Sequence, residues 1–133
     1  MNVHAIPDMP LITPGDDLAV IIIDALDSSK FEVSDGDILV IAQKIVSKSE
    51  NRYVDLATVV PSSQTRELAA KVTKDPRLVE LILSESSEVL RATPGVLVVV
   101  HRLGYVMANA GIDRSNLGPN ENGREAVLLL PEN

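Results

Sequence analysis

The chain contains no cysteine, and aromatic residues make up only 2% of it. The first absence excludes thiolate metal sites, disulfides and cysteine nucleophiles, while leaving the redox compartment open. With 45% hydrophobic residues and so few rings, the core has to be aliphatic. Only two imidazoles occur, His4 and His101. Both fall in expected strands, where packing or solvation is the commoner fate than general-base work. There is no Gly-x-Ser-x-Gly elbow, so no activated nucleophile and no catalytic residue is assigned. Neither Gly-x-x-x-x-Gly-Lys nor Gly-x-Gly-x-x-Gly is present, and a phosphate site has to be built another way. Basic residues are in short supply, 12 against 19 acidic, for a net charge of -7. That balance disfavours unspecific binding to nucleic acid or anionic membranes, which needs clustered Lys and Arg. The longest apolar runs are too short to span a bilayer, and the start lacks the basic-then-apolar pattern of a signal peptide. A soluble, cytoplasmic protein is the expectation.

What is present is aliphatic and globular. Val, Leu and Ile crowd residues 18 to 26, 38 to 46, 78 to 83 and 96 to 100. At 133 residues the prior is one domain, a single compact unit over 1–133. Residues 2 to 6 read as a short strand ended by Pro7, with turns through Pro10 and Pro14. Gly15-Asp16-Asp17 offers acidic N-cap chemistry to a helix over about 17–28, with Leu18, Ile21, Ile22, Ala25 and Leu26 on one face. Ile38 to Ile41 is a continuous aliphatic run and Gln43 to Ser49 alternates, which together suggest one long strand, central at its start and exposed at its end. Tyr53 to Val60 reads as a second strand. Pro61-Ser62-Ser63 and Asp75-Pro76 open helices to about Val72 and Glu85. Strands follow at Val89 to Arg91, Val96 to His101, Tyr105 to Ala108 and Ala126 to Leu130, with Leu103-Gly104 as a hairpin turn. This order is not a regular βαβ alternation. The expected class is α+β, a mixed, largely antiparallel sheet with helices packed against it.

The most informative segment runs from Met107 to Asn116, where small, flexible and polar residues follow directly on a strand. Asn109, Asp113, Ser115 and Asn116 place oxygen ligands and hydrogen-bonding groups on a turn that Gly111 lets fold tightly. On local grounds alone, the commoner role of Asp113 is to close that turn on its own backbone. Asn109-Ala110-Gly111-Ile112-Asp113, however, resembles the signature of the coenzyme F-420 gamma-glutamyl ligases, which add glutamate to a deazaflavin coenzyme. Two other segments agree in order and spacing. Ala5 to Ile12 with Pro14 to Leu18 is similar to the family's opening, and Asp35 to Glu50 is similar to its first long strand. Three separate matches are more specific than any one of them, and they cover essentially the whole chain.

The resemblance implies a GTP-dependent ligase that phosphorylates the carboxylate of the F-420 precursor and lets the amine of L-glutamate attack the acyl phosphate. Gln43, Lys48 and Asn116 fall at positions that contact GTP in the family. Met9, Pro10, Leu11 and Ile12 would line the guanine nucleotide through backbone groups, where the plainer reading is a rigid connection into the first helix. Asp113 falls at the first ligand of a divalent metal, Mg or Mn, whose charge would help neutralise the phosphoryl group in transfer. Lys44 and Lys48, four apart, share one face and could meet phosphate oxygens. Without the family match they read better as solvated edge lysines. The family also implies a homodimer, for which the apolar run Val127 to Leu130 is the expected unpaired edge. Family members continue well past Asn133 through further acidic metal ligands, so the expectation is the N-terminal part of a ligase domain. The alternative is an inactive relic of the fold, a nucleotide-binding or interaction module.

Overall fold

A computed structural model describes residues 2–114 and 125–132. The first helix, α1 (Leu18–Ser28), starts because the Asp17 carboxylate accepts from the amides of Ala19 and Val20 at 3.0 and 3.2 Å. Its buried side is the expected one: Ile22 is buried and Leu18, Ile21, Ala25 and Leu26 are half-buried, whereas Val20 and Ile23 are exposed. Residues 2–6 form no strand.

The segment expected as one long strand divides in two. Ile38 to Ile41 forms neither strand nor helix, and all four side chains are exposed, Ile38 and Val40 at 86% and 87%. Gln43–Ser49 is a helix, α2. A seven-residue stretch fits both periods, and the ending decides between them: Asn51 is left-handed (φ 55), its amide bonds Lys48 O at 3.0 Å, and the Arg52 amide bonds Ser47 O at 2.9 Å. That pair of bonds is the Schellman closure of a helix.

The expected strand over Tyr53 to Val60 is shorter, β1 (Tyr53–Asp55), because the Asp55 side chain caps a 3-10 turn at Leu56–Thr58. Two helices follow as read, α3 (Ser63–Val72), capped by Ser62, and α4 (Pro76–Ser84), capped by Asp75 with proline in its first turn. Then come β2 (Ser86–Thr93), β3 (Val96–His101), β4 (Val106–Ala108) and β5 (Ala126–Leu128). All pairings are antiparallel: β2, β3 and β4 form one sheet in that order, and β1 pairs with β5 in a second. The fold is α+β, with its antiparallel strands in two small sheets.

The core lies between the α3–α4 hairpin and β3, where Ala69, Val72, Leu78, Val79 and Ile82 meet Leu97, Val99 and Ala110. It is wholly aliphatic. Strand alternation turns Leu97, Val99 and His101 to the same inner face. A 2.9 Å bond from the Gly95 amide to Val72 O ties the β2–β3 turn to the end of α3. Val127 to Leu130, expected as an unpaired edge, is buried at all four residues and paired through β5 to β1. The unpaired apolar stretch of the described residues is Ile38 to Ile41 instead. This contrast predicts that Ile82→Ala, in the core, costs about 2–5 kcal/mol of stability, while Val40→Ser stays within about 0.5 kcal/mol. Urea unfolding of the two variants beside the parent checks it, and equal losses would contradict this assignment of the core.

Candidate functional site

The site grows from the turn that follows β4. Asn109, Ala110 and Gly111 are consecutively left-handed (φ 53, 52 and 69), and each identity has a physical reason. Asparagine is among the residues that tolerate this conformation best. Ala110 is fully buried in the core cluster with Leu97 and Val99, where its small side chain is packed. A Cβ on Gly111 would lie 2.9 Å from Leu130 Cγ and from Met107 Sδ. Such backbone strain is held only where surrounding packing over-determines it. The turn delivers the chain to Asp113, whose amide and carbonyl both bond Leu128, at 2.9 Å each way. Asp113 thus joins the end of the three-stranded sheet to the β1–β5 pair.

The Asp113 side chain reaches across to α2. Its Oδ2 meets Lys44 Nζ at 2.5 Å, with both side chains about three-quarters buried (25% and 26% exposed). Lys44 stands in the first turn of α2, and Lys48 lies one turn later, so the helix keeps both on one face, as the strand reading also required. Both are half-buried, and Gln43, at the first position of α2, is exposed. Met9 to Ile12 is irregular, with Ile12 buried and Leu11 exposed. The next turn, in which the Asp16 carboxylate accepts from the Thr13 amide and hydroxyl, attaches to α2 through a 2.8 Å bond from the Gly15 amide to Ser49 O. A groove of about 290 Å³ runs between Pro7, Asp8 and Pro10 and the Ile21 to Ser29 side of α1. The structure therefore brings Asp113 against α2 and ties the segment after Ile12 to the end of that helix. Asn116 lies outside the described residues.

Asp113 offers a hard carboxylate oxygen, and Asn109 Oδ1, four residues earlier, is buried without a hydrogen-bond partner. Both are donors of the kind that Mg or Mn takes. Among the described residues no group of three or more His, Asp or Glu side chains could hold a metal ion, so Asp113 fits as one ligand of a shell completed elsewhere.

Behind the turn is a charged cluster that the sequence reading missed. Glu85 Oε2 accepts from Arg52 Nη2 at 2.8 Å and from Arg102 Nε at 3.2 Å. Arg52 Nε also donates to Leu130 O at 2.9 Å, and Arg102 Nη1 to Glu132 O at 3.2 Å, so the cluster secures the chain that runs on from β5. A helix C-cap acid flanked by two distant arginines leaves no local pattern in sequence. His101 is fully buried beside this cluster. The Leu103 amide donates to its Nδ1 at 3.1 Å, which puts the ring proton on Nε2, 3.5 Å from Glu85 Oε2. Burial holds the imidazole below its ordinary value, opposed by the charge of Glu85 and assisted by those of Arg102 and Arg52. His101 is a packed, neutral histidine, as the sequence suggested.

The unfolded imidazole takes a proton near pH 6.5, whereas the buried one resists. Below that pH the unfolded state binds more protons, and stability falls as pH falls. The parent chain should lose more stability than His101→Gln between pH 7 and pH 5 in urea unfolding. Parallel pH dependences would refute this account.

The F420-0:Gamma-glutamyl ligase family model matches residues 7–133. The coenzyme F420:L-glutamate ligase of Methanothermobacter thermautotrophicus is 46% identical over 117 residues, covering 88% of this chain and 46% of the relative. Its namesake from Methanopyrus kandleri is 37% identical over 132 residues, with 99% and 48% covered. The Archaeoglobus fulgidus protein of the same name is 40% identical over 131 residues, with 98% and 48% covered. The chain spans about half the length of these curated relatives. No helix among the described residues is long and apolar enough to cross a membrane.

Proposed function

The chain belongs to the F420-0:gamma-glutamyl ligase family, and we propose that it is the N-terminal part of a ligase domain that joins L-glutamate to the F-420 precursor at the expense of GTP. The observation that supports this reading is the contact between Lys44 of α2 and Asp113 of the signature turn, with Lys48 one helical turn further along and the Gly15 amide bonded to Ser49 O at the end of α2. In the reaction, a precursor carboxylate oxygen attacks the γ-phosphorus of GTP and GDP leaves. The glutamate amine then attacks the acyl phosphate carbon, loses a proton and expels phosphate. Gln43, Lys48 and Asn116 contact GTP, Lys48 at its phosphate oxygens, and Met9, Pro10, Leu11 and Ile12 present backbone groups to the guanine nucleotide. Asp113 is a ligand for Mg or Mn, which would supply the positive charge that phosphoryl transfer needs. Water and the nucleotide phosphates would fill further positions of its shell.

Asp113→Asn tests the reading, because an amide keeps the shape and loses the charge that a hard cation requires. Calorimetric titration of the 133-residue chain with GTP should show affinity falling on the order of tenfold in the presence of Mn, with nucleotide binding in metal-free buffer unchanged. Equal affinity for parent and variant in Mn would refute the ligand role.

A homodimer belongs to the same proposal. With Val127 to Leu130 buried, it rests on the family and not on that strand. Light scattering at micromolar concentration should give twice the chain mass, and a monomer mass throughout would overturn it.

A further inference from the structure

Asp113 and Lys44 share a charge contact to which the ligase reading assigns no role for the lysine. A carboxylate three-quarters removed from water is costly to keep ionised without a positive partner, and Lys44 Nζ, at 2.5 Å, is such a partner. It reaches Asp113 from α2, whose Schellman ending and bond to Gly15 fix the helix in place. On the other side, the backbone of Asp113 is pinned by Leu128. Neither group arrives from a loose surface chain, so the pair is a built feature.

We infer that Lys44 is the resident cation of Asp113: it holds and aims the carboxylate until a divalent cation takes its place, and is then released toward the nucleotide phosphates. The inference rests on the ligase reading for the metal and adds a positioning residue to it. Two positive charges within reach of one carboxylate repel each other, and in a partly dry site that repulsion is weakly screened. Metal and ammonium therefore compete. The competition has a direction, because Lys44 lies on the same face of α2 as Lys48. An ammonium that leaves Asp113 stays beside Lys48, where phosphate oxygens would meet two lysines in place of one.

The experiment follows binding of Mn2+ alone to the 133-residue chain by electron paramagnetic resonance of the free ion. Lys44→Gln removes the competitor and should tighten Mn2+ binding on the order of fivefold or more. Lys44→Arg keeps a cation and should give no gain, and Asp113→Asn added to Lys44→Gln should abolish the gain. A second readout uses the unaltered chain: Mn2+ should raise acetylation of Lys44 by acetic anhydride severalfold, measured by mass spectrometry with Lys74 as internal reference. Unchanged or weaker Mn2+ binding in Lys44→Gln, or acetylation of Lys44 indifferent to Mn2+, overturns the inference. The two readings fail separately. If Asp113→Asn weakens GTP binding in Mn but Lys44→Gln gives no gain, the competition is wrong and the ligase reading stands. If Asp113→Asn leaves both measurements untouched, the metal role of Asp113 falls with it.

Discussion

Two hydrogen bonds between the backbones of Asp113 and Leu128 join the halves of this fold. On one side is the three-stranded sheet with the α3–α4 hairpin on its inner face, and on the other the β1–β5 pair with α2 against it. The bridge forms only if the chain leaves β4 through three left-handed residues and emerges in line with β5. Side-chain size at Ala110 and Gly111 is therefore a condition for the position of Asp113, and through it for the contact with α2. Bulk added at the turn acts on the site by way of the backbone, and the cost of the strain is met by burial of Ala110 in the aliphatic core.

Charge is arranged at two levels around this bridge. The Lys44–Asp113 contact keeps about a quarter of each side chain in water and bears on what the surface can bind. Glu85 and Arg52 lie deeper, and with Arg102 they fasten the chain after β5: the two arginines, gathered by Glu85, donate to the carbonyls of Leu130 and Glu132. The second group stabilises by satisfying backbone acceptors beyond the end of the ladder, since β5 stops at Leu128. Beside it His101 stays neutral, which suits a residue in line with Leu97 and Val99 on the core face of β3.

Most helices were legible in sequence, because Asp17, Ser62 and Asp75 cap them by local rules. The strand β3 was legible through its aliphatic run and the hairpin turn after it. The stretch from Ile38 to Ser49 was not, since a run of aliphatics followed by seven alternating residues satisfies two periods at once. Asn51, whose left-handed conformation closes α2, was the available sign of a helix end, and it sits past the alternation that drew the strand reading. At the site, Asp113 and the shared face of Lys44 and Lys48 could be found from spacing and resemblance. Their contact could not, because 69 positions separate them along the chain and nothing local pairs them.

The bare stretch from Ile38 to Ile41 has a consequence for how the chain behaves at concentration. Four successive aliphatic residues with no strand alongside present both an oily ribbon and a row of backbone donors and acceptors, the template for edge-to-edge association. Asp35 and Asp37 stand just before the ribbon and Lys44 just after it, and they act as gatekeepers whose like charges repel a second ribbon laid alongside in parallel register. Antiparallel register would set acid against base and lose that protection. Self-association at this place is therefore sensitive to strand direction, and to the salt that screens its guards.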